Sequence, residues 1–155
     1  MHGGREQLSL FDPDTGADGY PGVTRALVVR SPWAERILAG RKRWEIRGRP
    51  TSVRGTVAII AAGTGTVVGV ANLAHVRGPL AEEEYRESWW LRGADAPQDG
   101  PLPYPEVYAW VMTRARPLLR PVPYAHPAGA VTWVRLDPEV GRRVAAALGP
   151  PPTGG

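Results

Sequence analysis

One eight-residue stretch, Gly40-Arg41-Lys42-Arg43-Trp44-Glu45-Ile46-Arg47, concentrates the residue types able to hold an anion or move a proton. Lys42 is the only lysine among 19 basic residues; every other cation is arginine. Burial and neighbouring charge can bring a lysine to lose its proton near neutral pH, whereas arginine stays charged. Arginine serves for charge or phosphate contact alone, so a lone lysine here points to a specific role. Arg41, Arg43 and Arg47 disfavour its protonated form, and Glu45 favours it. An unperturbed lysine titrates at ~10.4, so use as a base or nucleophile needs burial as well. The competing reading is an ordinary surface Lys–Glu pair, contributing less than ~1 kcal/mol. Plain strand alternation puts Lys42 on the face of Trp44 and Ile46, opposite Glu45, so a shared site requires a turn or bulge between them.

The surrounding charge is concentrated in the same place. Between Arg25 and Arg54 stand nine cations and two anions, a balance of +7, whereas the rest of the chain carries −3 and the whole +4. A near-neutral chain with one basic segment suits an anionic partner docked there, although a solvated basic face has the same composition. The absence of cysteine excludes disulfide scaffolds, zinc–cysteine sites and thiolate catalysis. His75 and His126 lie far apart in sequence with no third ligand, so neither a metal nor another cofactor is expected. No stretch approaches the ~18 consecutive apolar residues of a membrane span. The first residues lack an apolar signal-peptide core, and a soluble, cytoplasmic protein is expected.

The elements that must position this stretch follow from periodicity. Ala26-Leu27-Val28-Val29 within Thr24–Arg30 predicts a strand. Ser31 then reads as a helix N-cap with Pro32 at the first helical position. Trp33, Ala34, Ile37 and Leu38 share one face, and Gly40 suits the left-handed residue that ends the helix. Lys42–Arg47, Gly55–Ala62 and Thr66–Val76 predict further strands, the last two joined by a Gly63-Thr64-Gly65 hairpin. Glu82–Leu91 reads as a second helix, its Glu82, Glu83 and Glu84 a solvated start favoured by the helix dipole. After a proline-rich loop come strands at Glu106–Thr113 and Ala130–Leu136, and Asp137-Pro138 opens a last helix reaching Leu148. Five to six short strands with helices at their connections predict a small, strongly bent α+β barrel. The expected organisation is a loose tail over 1–22, one domain over 24–137, and a short helix with a Pro/Gly tail over 138–155.

Gly40-x-Lys42-x-x-Glu45-x-Arg47 matches the pattern G-x-K-x-x-E-x-R, and the chain thereby resembles the ASCH domain family, relatives of the PUA RNA-binding domain. The resemblance continues through Ser31-Pro32-Trp33-Ala34 upstream. Downstream it runs through Val57–Ala62, Val68-Gly69-Val70, Tyr108-Ala109-Trp110-Val111 and Pro121-Val122-Pro123 to Val131–Leu136. It implies a PUA-like β-barrel with helices at its mouth and a cleft receiving RNA, DNA or a nucleobase-like ligand. Some members resemble amidohydrolases of acylated (modified) nucleosides, and nuclease activity is attributed to others. In the amidohydrolase branch a threonine stands where this chain has Glu45, and the catalytic pair is the signature lysine with a glutamate on the later helix. That carry-over makes Lys42, Glu45 and Glu87 the catalytic candidates, with Glu45 a departure from the pattern. The expected ligand-binding set is Ser31, Lys42, Trp44, Glu45, Arg47 and Trp89, with Arg41, Arg43, Arg49 and Arg54 on phosphates. Trp33, Trp110 and Trp133 sit in apolar patterns and are expected inside; adjacent helical residues point about 100° apart, so one of Trp89 and Trp90 is left for base stacking.

The tail carries a separate motif. Gln7-Leu8-Ser9-Leu10-Phe11 resembles the pentapeptide by which bacterial proteins dock on the replication sliding clamp. Two leucines and the chain's only phenylalanine, on a segment with no folded core nearby, suit ordering into a groove on binding.

Overall fold

The computed structural model describes residues 22–149, so the Gln7–Phe11 motif and the final Pro/Gly tail lie outside the described residues. In chain order the elements are β1 (Arg25–Val29), α1 (Trp33–Leu38), β2 (Trp44–Arg47), β3 (Gly55–Ala61) and β4 (Thr66–Arg77). They continue with α2 (Glu82–Glu87), β5 (Tyr108–Pro123), β6 (Trp133–Arg135) and α3 (Pro138–Ala146). The strands form one six-stranded sheet in the order β2-β5-β4-β3-β1-β6, curled into a half-barrel. Among the described strands only β1 and β3 pair in parallel, with Ala26 opposite Ala58 and Val29 opposite Ala61.

Continuous apolar runs in β1 and β3 follow from burial on both faces. Alternate residues of β3 enter two different cores: Ala58 and Ile60 pack with Val70, Val134 and Val144, whereas Val57 and Ile59 pack with Leu27, Ala34, Ile37 and Leu73. Helix α3 therefore covers one face and α1 the other. A third cluster of Trp44, Leu80, Val107, Ala109 and Val111 lies at the β2–β5 edge. Among the described residues, no helix is long and apolar enough to cross a membrane.

Several boundaries differ from the sequence expectation, each for a tertiary reason. Pro32 occupies the N-cap of α1 and not its first turn, and the Ser31 hydroxyl caps no backbone group but donates to the Glu35 carboxylate at 2.6 Å. Helix α2 stops at Glu87, and the turns that follow bring the Leu91 and Arg92 carbonyls to the Lys42–Trp44 segment. Strand β5 runs ten residues past Thr113, through Pro117 and Pro121, to Pro123. Its pairing with β2 ends at Val111, so beyond that point one side carries no β2 ladder and the missing proline N–H groups break none. Strand β6 is three residues long, and α3 ends at Ala146.

Candidate functional site

The site begins with the way α1 ends. Gly40 takes φ +79, and its N–H donates to the Ile37 carbonyl at 3.0 Å, while the Arg41 N–H reaches back to Arg36 at 2.9 Å. This paired closure is the Schellman arrangement, which needs a left-handed residue at that position. The Lys42 N–H joins it, donating to the same Arg36 carbonyl at 3.0 Å. The glycine two places before the lysine is thus the turn that lays Lys42 back along the helix. Strand β2 begins only at Trp44, so alternation does not apply to Lys42, and the condition for facing Glu45 is met.

Lys42 is 5% exposed. Its Nζ donates to the carbonyls of Trp44 at 2.7 Å and Arg92 at 2.9 Å, and lies 3.6 Å from Glu45 Oε1. The three ammonium donors therefore each face an oxygen. The other Glu45 oxygen, Oε2, accepts from Arg47 Nε at 2.8 Å, and Arg47 Nη2 donates to the Val28 carbonyl at 2.9 Å. Arg47 so ties β2 to β1 across the open side of the half-barrel. Burial pushes the Lys42 ammonium down to about 8; the Glu45 carboxylate opposes that shift, and the Arg92 and Arg47 guanidiniums reinforce it.

The facing wall comes from the turns after α2. Leu91 offers its carbonyl to the N–H groups of both Arg43 and Trp44, each at 2.9 Å. Arg36 Nη1 donates to the Gly93 carbonyl at 2.7 Å, and Arg41 pairs with Asp95 at 3.1 Å. Gly93 takes φ +80, and a Cβ there would stand 2.7 Å from the Lys42 Cβ. Only glycine lets this wall approach the lysine. Arg92 stacks on Tyr85 at 3.9 Å and donates to its carbonyl and hydroxyl, while its Nη2 is buried without a partner among the described residues.

Between these walls opens a cleft of about 710 Å³ whose lining includes Arg30, Trp33, Lys42, Glu45, Arg47, Tyr85, Arg92, Tyr104, His126 and Val131. Four cations (Arg30, Lys42, Arg47 and Arg92) face one carboxylate, Glu45, in that lining. Five large apolar side chains are exposed among the described residues, and three of them, Trp33, Tyr104 and Val131, are on this cleft. On its rim the His126 ring bonds the Tyr124 hydroxyl at 2.6 Å and the Ala130 carbonyl at 2.8 Å. A carbonyl only accepts, so the His126 Nε2 facing Ala130 carries a proton. No group of three His, Asp or Glu that could hold a metal is found among the described residues.

The structure brings together Lys42, Glu45 and Arg47 and leaves the other expected residues elsewhere. Glu87 is exposed and does not line the cleft: Tyr85 faces the cleft, and two residues on, a helix has turned ~200° away. Trp44 is buried in the third cluster with Arg77 over its ring, because it stands on the strand face opposite Glu45. Trp89 is half-buried and away from the cleft, and Ser31 is exposed beside it but turned to Glu35. Trp33, expected inside, is 37% exposed on the cleft, where the Lys42 Nζ lies 5.0 Å from its ring. Of the four expected phosphate contacts, Arg41 pairs with Asp95 and Arg43 points to solvent outside the cleft. Arg49 lines a neighbouring groove, and Arg54 bonds the Thr51 and Val53 carbonyls at a separate hollow. Sequence reasoning missed Arg92 and Tyr104. Gly93 was the one available signal, an isolated glycine marking close backbone approach.

The sequence matches the ASCH domain family over residues 27–121, and the chain belongs to that family. Solved structures agree on the fold. A tyrosine-to-phenylalanine variant of the ASCH protein of Zymomonas mobilis superposes with a TM-score of 0.53 at 17% identity, covering 81% of this chain and 98% of that one. A serine-to-alanine variant of the same protein gives 0.53 at 17% identity, with 81% and 96% covered. The Zymomonas mobilis ASCH protein without either substitution gives 0.51 at 16% identity, with 81% and 95% covered. No curated protein sequence matches this chain.

Proposed function

We propose that this ASCH domain binds a nucleic acid or nucleotide, RNA in preference to DNA by kinship with PUA domains, in the cleft floored by Lys42, Glu45 and Arg47. The observation that carries the reading is the composition of that cleft: four cations against one carboxylate, with Trp33 and Tyr104 exposed at its walls. Such a lining suits a planar base beside an anionic phosphate. The buried Lys42–Glu45–Arg47 network is held by backbone carbonyls, which keeps its polar edge in place for a base. Binding of short RNA and DNA oligomers, followed by fluorescence anisotropy across salt, tests this. Affinity is expected to fall with a log–log slope of about −0.7 per phosphate contact on single strands. Undetectable or salt-independent binding overturns it.

One observation favours a hydrolytic reading, that of an amidohydrolase on an acylated nucleoside or a nuclease: Lys42 is lowered to about 8 and stands 3.6 Å from Glu45. Against it, all three Lys42 donors already face oxygens, so loss of a proton would leave a lone pair against an acceptor. Turnover of acylated nucleosides or RNA by the wild type, lost in Lys42→Met, would establish the enzyme. The Gln7–Phe11 segment is proposed as a docking peptide for the sliding clamp, making the domain an adaptor at the replication machinery. Deleting residues 1–12 is expected to abolish a clamp pull-down.

A further inference from the structure

A second groove of about 570 Å³ runs beside the Lys42 cleft, lined by Gly48, Arg49, Thr51, Trp110 and Trp133 among others. The two hollows share Arg47 and Tyr104, so they are neighbouring compartments of one surface. We propose that the second groove is a subsite for the adjoining nucleotide of a single-stranded oligonucleotide whose first base occupies the Lys42 cleft. The inference rests on the reading of that cleft as a nucleotide site and adds to it the minimum length of the ligand.

Three features support the assignment. First, Tyr104 is 39% exposed and forms a wall of both compartments. Its ring lies against Gly48 so closely that a Cβ there would stand 3.0 Å from Cγ and Cδ1. The bare backbone at Gly48 therefore lets the ring rest there, and an exposed aromatic ring shared by two hollows suits a base packed against it.

Second, the half-buried Trp133 lines the groove and is backed by the buried Trp110. Trp110 and Trp133 stack at 5.8 Å with their planes 11° apart, and Trp110 Nε1 donates to the Arg49 carbonyl at 2.8 Å. That bond pins residues 48–50 over the indoles and presents the Arg49 side chain at the groove. Arg49 is exposed, and among the described residues its guanidinium makes no hydrogen bond or ion pair, so it is free to take a phosphate.

Third, the boundary between the compartments carries a held cation. Arg47 is fixed by Glu45 and the Val28 carbonyl, and its guanidinium lies 5.4 Å from the Trp110 ring. Two nucleosides in adjoining compartments are joined by one phosphodiester, and that anion would cross at the edge of the groove that Arg47 and Arg49 both line. An immobile guanidinium at the partition loses little freedom on meeting it.

The test compares a nucleoside 5′-monophosphate with the dinucleotide that extends it, by calorimetry or anisotropy on the whole chain. Base stacking on an aromatic contributes ~1–3 kcal/mol, so the dinucleotide is expected to bind roughly ten-fold tighter or more. In Arg49→Ala, and separately in Gly48→Ala, which pushes Tyr104 off its seat, the ratio of the two affinities is expected to fall toward one. Far-ultraviolet circular dichroism checks that each variant is folded. Equal binding of the two ligands by the wild type, or a ratio unchanged in both variants, overturns the second subsite and leaves the first cleft standing. Failure of both ligands to bind overturns both readings.

Discussion

The cations between Arg25 and Arg54 are alike in sequence and divide sharply in the structure. Lys42 is 5% exposed, and the Arg47 guanidinium is held between Glu45 and the Val28 carbonyl. Arg41, Arg43, Arg49 and Arg54, on the same segment, are exposed. The outer arginines stand in water, so what each contributes is screened by salt until a ligand engages it. Lys42 has lost its water and each of its donors faces an oxygen, while the part-buried Arg47 is held by directed bonds from Nε and Nη2. Burial thus separates cations that address a particular atom from cations that attract any anion, and the Gly40 and Gly93 backbone decides which is which.

The sharpest way to break this contrast is to remove the one carboxylate on the inner side. Glu45→Gln leaves the buried Lys42 and the part-buried Arg47 without a counter-charge, and a loss of about 3 kcal/mol is expected by urea unfolding. An unchanged midpoint would mean that water reaches the pair and the inner class does not exist. Gly93→Ala attacks the same network through the backbone: a Cβ at φ +80, 2.7 Å from Lys42, is expected to cost about 1–3 kcal/mol and to weaken ligand binding.

Titration reads the burial without a mutation. Lys42 holds its proton with a value near 8 in the folded chain against an ordinary 10.5. Between those values the unfolded chain binds the proton more strongly, so the Lys42 contribution to stability rises with pH across that window. Ligand binding favoured by the positive charge of the ammonium runs the other way and is expected to weaken as pH rises through about 8. In Lys42→Met both trends should vanish. Gly40→Ala, which forces a side chain onto φ +79, is expected to cost about 1–2 kcal/mol in thermal unfolding.

The smallest effects belong to the outer arginines. Arg43→Ala is expected to change stability by less than ~0.5 kcal/mol. If Arg43 touches a phosphate, the same variant lowers the log–log salt slope for single strands by about 0.7. A larger stability loss would move Arg43 into the inner class.

Much of the frame was legible because it is local. The apolar runs of β1 and β3, the turn at Gly40 and the Gly63–Gly65 hairpin each depend on residues within one or two turns of chain. The α2 boundary was not legible, since helix propensity through Leu91 loses to carbonyls drawn off to Arg43, Trp44 and Lys42. Proline within β5 misled for a similar reason: its cost depends on whether a neighbouring strand needs the N–H, which is a matter of sheet order. Trp33 reads as interior from its apolar helix face, yet it sits at the lip where α1 overhangs the cleft.

The sequence alone determined that a glycine turn delivers one lysine, one glutamate and one arginine within eight residues, and that this pattern belongs to an ASCH domain. Those are short-range facts, set by φ preference and side-chain type. Which charges become buried donors, and that Arg92, Tyr85 and Tyr104 complete the cleft, only the tertiary structure decided. The physical reason is that burial and a backbone carbonyl's direction come from segments some fifty residues away, as in the Lys42–Arg92 bond at a separation of 50, and no residue type encodes them.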